Sequence, residues 1–114
     1  MIDAAHASRL FWENVGEPVH HVRGEWQISR AYAAAGRSDE ALHHAERCLA
    51  LCQDSAVGAF DRAYAYEGLA RAHAVARDAD AVSRYSEMAR AEAEQIAEAQ
   101  DRALLLSDLE TLTS

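Results

Sequence analysis

The chain has 114 residues, half of them apolar, and a formal net charge of −8 from 19 acidic against 11 basic residues. That length suits one domain, which buries roughly 65% of its unfolded surface, and the acidic balance argues against phosphate backbones as direct partners. No run approaches the roughly 20 apolar residues that span a bilayer, no secretory signal opens the chain, and two Cys make no disulfide framework. A cytoplasmic protein that binds neither membrane nor nucleic acid is expected.

The apolar half is unusual in kind. It holds 26 Ala but only two Phe and two Trp, while Gly is sparse and Pro18 is the only Pro. Ala loses no side-chain entropy in a helix and lets helices approach closely. The composition therefore reads as all-α.

Residues 3–15 read as a first helix, with Asp3 as its cap and Ala7, Leu10 and Phe11 as its apolar face. Gly16-Glu17-Pro18 breaks it. A second helix is expected from about His20 to Ala35, burying Val22, Trp26, Ile28, Ser29 and Tyr32 and ending at Gly36. Ser38 or Asp39 would cap the third, which carries Ala41, Leu42, Ala45, Cys48, Leu49 and Cys52 at helical spacing. After the loop Asp54–Gly58 a fourth helix covers about Ala59–Ala76, with Asp61 capping it or facing solvent near its start. Asp78 or Asp80 opens a fifth, reaching roughly Glu98. Asp101 would cap a short last helix over Arg102–Leu112, unless the fifth runs on. Leu104, Leu105, Leu106, Leu109 and Leu112 are more than one helix face requires, so this end either folds back on the stack or meets another subunit.

The chain also repeats itself. Ile28-Ser29-Arg30-Ala31-Tyr32-Ala33-Ala34-Ala35-Gly36 returns further on as Leu69-Ala70-Arg71-Ala72-His73-Ala74-Val75-Ala76-Arg77. Each copy is followed by a second helical segment, Asp39–Cys52 and Asp80–Ile96. A period of this size built from paired helices marks a stacked helical repeat.

The pattern Ile28-Ser29-x-x-Tyr32, Gly36, Ala41-Leu42 and Cys48 resembles a tetratricopeptide repeat, and Leu69-Ala70-x-x-His73, Val82, Tyr85 and Ala89 resemble it more loosely. The chain departs from that family at Arg77, where Gly is usual, and at His73, which replaces an aromatic. Its period, from Ile28 to Leu69, is also longer than the family's own. The resemblance implies stacked antiparallel hairpins in a right-handed helical repeat. It divides the chain into an N-terminal half-repeat over 3–16, hairpins over 20–53 and 59–98, and a C-terminal cap over 101–112. It further implies that the first helix of each pair lines a concave face. Carried over residue by residue, that face presents Arg23, Trp26 and Arg30 from one helix and Tyr64, Glu67 and Arg71 from the other. Spacing of i, i+3, i+7 keeps each trio on one side.

Arg forks bind carboxylates at two points and aromatic rings add contact area. The expected function is thus a non-enzymatic protein-interaction module that docks an acidic or C-terminal peptide, with Arg30 and Arg71 as anion anchors. The bland alternative is a Glu67–Arg71 pair along the helix with Trp26 packed inward. A rival function is self-assembly as a homodimer through Leu105 and Leu109. A third is a small-molecule or metal site built from His and Glu. His44, Cys48 and Cys52 form a stripe that could meet His6, His20, His21 or His73, but no zinc-type spacing appears, and Cys is a common core residue. The adjacent pairs His20-His21 and His43-His44 point their rings about 100° apart on a helix of this geometry, and His73 reads as a packed ring. No Ser or Cys stands in a strained nucleophile turn. No cofactor and no catalysis are expected.

Overall fold

The computed structural model describes residues 18–112, and they are all-helical. The five helices among them are α1 (Pro18–Ala34), α2 (Ser38–Asp54), α3 (Ala59–Val75), α4 (Ala79–Ala93) and α5 (Ala99–Glu110). The helix expected over 3–15 lies outside the described residues. Pro18, expected as a helix breaker, is itself helical. It begins α1, where its missing N–H costs nothing.

Two turns repeat atom for atom in their hydrogen bonding. At the end of α1 the Gly36 N–H donates to Ala33 O and the Arg37 N–H to Tyr32 O. At the end of α3 the Arg77 N–H donates to Ala74 O and the Asp78 N–H to His73 O. This pairing satisfies the last carbonyls of a helix and requires a left-handed residue. Gly36 (φ 75°) and Arg77 (φ 63°) fill that place, one in each copy of the repeat. A side chain there costs about 1–2 kcal/mol, and Arg77 bears it.

Helix starts differ from expectation in detail. Asp78 caps α4 by accepting from the Ala81 N–H. Ser38 and Asp39 do not cap α2, which starts after Arg37 without a side-chain cap. Asp101 lies in the first turn of α5 rather than capping it, and residues 94–98 separate α5 from α4. Asp61 neither caps α3 nor faces solvent. It is buried.

Direction follows from which residues meet. Val22 meets Cys48 and Ser29 meets Ala41, so α2 runs antiparallel to α1. Arg62 meets Glu92 and Tyr66 meets Tyr85, so α4 is antiparallel to α3. Arg23 reaches Asp61 and Trp26 reaches Tyr64, which sets α3 parallel to α1. Tyr64 reaches Asp108 and Arg71 reaches Thr111, so α5 extends the same row. One row thus holds α1, α3 and α5, with α2 and α4 packed against it.

The core mixes many Ala with a few large side chains. Val22, Cys48, Cys52 and Ala65 join α1, α2 and α3. Ala63, Tyr64, Ala89, Ala93, Ile96, Leu105 and Leu109 join α3, α4 and α5. Leu105 and Leu109 are completely buried there, so they are not a surface for a second copy, and α5 folds back on the stack. Ser107 of α5 and Thr111 just past its end are both exposed.

Candidate functional site

Along the row of α1, α3 and α5 lie three adjoining cavities. The first, about 360 Å³, is walled by Val22, Trp26, Phe60, Tyr64 and Leu104, with Cys48 also lining it and Arg23, Asp61, Gln27, Arg30 and Asp108 around it. The second, about 420 Å³, is lined by Arg30, Ala33, Ala34, Arg71, Ala74, Val75 and Leu112. The third, about 490 Å³, continues past Ala74 and Leu112 to Arg77, Asp78 and Val82. Arg30 is common to the first two.

Four of the six candidates therefore share the first cavity: Arg23, Trp26, Arg30 and Tyr64. The Trp26 ring meets the edge of Tyr64 at 5.2 Å and carries the Arg30 guanidinium over its face at 5.5 Å. Phe60 tilts against Tyr64 at 5.0 Å. Helical spacing places these rings on one side of each helix, and the parallel row brings the two sides together.

The arginines are not bare charges. Arg23 donates to both carboxylate oxygens of Asp61, at 2.9 and 3.3 Å, and this bond lifts its pKa above the ordinary arginine value. Arg30 stands 3.7 Å from Asp108, beyond good hydrogen-bond reach. Asp108 accepts instead from the Tyr64 hydroxyl at 2.7 Å. Burial, then that hydrogen bond to the neighbouring carboxylate, pushes the Tyr64 pKa up.

Glu67 and Arg71 pair along α3, at 2.7 and 3.0 Å, as the bland alternative has it. Glu67 is fully buried. Arg71 also donates to the Asp108 carbonyl and the Thr111 hydroxyl, tying α3 to α5. Arg71 still lines the second cavity beside Arg30, and among the described residues no carboxylate lines that cavity. Glu67 Oε1 and Trp26 Nε1 are buried without a hydrogen-bond partner.

Apart from Cys48, which lines the first cavity, the described His and Cys residues lie outside these cavities. His44 bonds buried Glu25 at 2.7 Å, and Arg47 bonds the same carboxylate at 3.1 Å. Cys48 and Cys52 are buried thiols that donate to the carbonyls of Val22 and Asp61. The neighbouring Cys52 thiol, with burial, holds the Cys48 pKa well above the usual thiol value. His73 stacks on Tyr85 at 5.5 Å. Among the described residues no three His, Cys, Asp or Glu groups converge as a metal site, and no helix is long and apolar enough to cross a membrane.

Sequence reasoning missed Phe60, Leu104 and Asp108. The repeat contained a signal for the last of these, because Asp108 follows Glu67 by the same interval that separates Glu67 from Trp26. Comparison with protein-family models, with curated proteins and with solved structures finds no match for this chain.

Proposed function

We propose that the chain is a tetratricopeptide-like array of stacked hairpins acting as a non-enzymatic protein-interaction module. It docks an acidic or C-terminal peptide along the groove of α1, α3 and α5. The observation that carries this reading is the position of Arg30. On one side it borders an aromatic cavity of about 360 Å³, near the low end of the roughly 300–1,000 Å³ of ligand sites. On the other it borders a basin holding a second Arg and, among the described residues, no carboxylate. An apolar side chain enters the first, and a neighbouring carboxylate lies against the second. Two free, buried thiols suit a cytoplasmic setting.

The test is a display selection of randomised decapeptides with free C-termini, run on the wild type and on Arg30→Glu with helicity matched. Arg30 is the residue to reverse, because Arg71 neutralises buried Glu67 and its reversal would damage the fold. Enrichment of acidic or C-terminally anchored peptides by the wild type alone supports the reading. Equal enrichment by both variants, or none, defeats it.

A further inference from the structure

The two arginines of the basin are held very differently. Arg71 is locked by short bonds to Glu67, which is fully buried. Arg30 is half exposed and faces Asp108 at 3.7 Å, an ion pair of the kind that solvent and salt weaken readily. Asp108 does not depend on Arg30 for its position. Its Oδ2 takes the Tyr64 hydroxyl at 2.7 Å, and its carbonyl takes Arg71 at 3.2 Å. A carboxylate anchored by other groups therefore sits opposite the one exchangeable arginine that both cavities share.

We propose that Asp108 is an internal acidic placeholder at Arg30, from which an acidic peptide must draw that arginine, and that it sets how acidic a bound peptide has to be. This rests on the peptide-groove reading above. In the empty groove Arg30 leans toward Asp108. When a peptide carboxylate arrives, Arg30 turns to it, while the Tyr64 hydroxyl keeps Asp108 and α5 in place. The retained carboxylate then repels the incoming one, so only peptides with enough negative charge or a well-placed carboxylate compete.

The sign of this effect separates it from a structural role. Asp108→Asn removes the repulsion yet keeps an acceptor for Tyr64. Tyr64→Phe removes the hydroxyl from the oxygen that faces Arg30, so that the carboxylate turns wholly to the guanidinium. The experiment measures binding of both variants and the wild type to an array of decapeptides graded from zero to six Glu. Helicity and thermal midpoint are checked first for every variant. The Asn variant is expected to bind Glu-rich peptides about three- to tenfold more tightly, the size of one partly screened like-charge contact. The Phe variant is expected to bind them more weakly. Both variants shifting the same way would mean that Asp108 acts only by holding α5, and would overturn the placeholder. So would unchanged or weaker binding by the Asn variant. In either case the groove reading survives if the wild type still binds Glu-rich peptides and Arg30→Glu does not. If the wild type binds none of the array, the groove reading fails and the placeholder fails with it.

Discussion

The hairpins α1–α2 and α3–α4 have the same backbone at their turns and different chemistry between their helices. Both close on the same pair of hydrogen bonds and a left-handed residue, Gly36 in one and Arg77 in the other. Both stack a His on a Tyr across the hairpin, but with the partners exchanged. Tyr32 of α1 lies on His44 of α2 at 5.6 Å and 11°, whereas His73 of α3 lies on Tyr85 of α4 at 5.5 Å and 8°. Position 25 in the first hairpin is buried Glu25, bound by His44 and Arg47. Its counterpart in the second copy is Tyr66, which stacks near Tyr85. On the groove side Arg23, Trp26 and Arg30 correspond to Tyr64, Glu67 and Arg71. Two hairpins with matching turns therefore carry different side chains where their helices meet other groups.

The largest expected difference lies between the equivalent arginines. Arg71→Ala strands the buried Glu67 carboxylate and should destabilise the chain by about 3 kcal/mol. Arg30→Ala should cost less than about 1 kcal/mol, since its ion pair is long and half exposed. Denaturant midpoints of the two variants measure this, and equal losses would mean that the repeats are electrostatically alike.

The turns should differ less. Arg77→Gly relieves the left-handed strain and should stabilise by about 1 kcal/mol, while Gly36→Ala should destabilise by a similar amount. A Cβ at Gly36 meets nothing within 4 Å, so backbone conformation alone is tested there. If Arg77→Gly gave no gain in thermal midpoint, Arg77 would be holding its turn by contacts that offset the strain.

The smallest effect is invisible at neutral pH. The Tyr64 pKa is raised in the folded state, so folded chains keep that proton where unfolded ones release it. Its contribution is intact below the unfolded value of about 10 and is lost as pH rises toward the folded value. Stability should therefore fall more steeply with alkali in the wild type than in Tyr64→Phe. Urea midpoints across the alkaline range would show it, and parallel curves would mean that the hydroxyl ionises freely.

Much of the fold is legible in the residues. Alanine content, sparse Gly and the single Pro point to helices. The internal repeat finds the two equivalent turns, because a left-handed helix end depends on local backbone chemistry. The family resemblance, carried along helical spacing, picks Arg23, Trp26, Arg30, Tyr64, Glu67 and Arg71, and the first four of these share a cavity. Spacing misplaces the caps at Ser38, Asp39 and Asp101, since a capping-type residue near a helix start competes with other local geometries. Asp61 escapes sequence reading for a different reason. Its burial depends on Arg23, which is remote in sequence.

The sequence by itself determined most of the described helices and the two equivalent turns, because these rest on helical periodicity and on contacts within a few positions. Only the tertiary structure decided which charges are spoken for. Whether Arg23, Arg30 or Arg71 is open to a ligand depends on Asp61, Asp108 and Glu67. Only Glu67 lies within one helical turn of its arginine, and its burial depends on the surrounding helices. An ion pair across helices is set by packing geometry and desolvation, neither of which is written into local spacing.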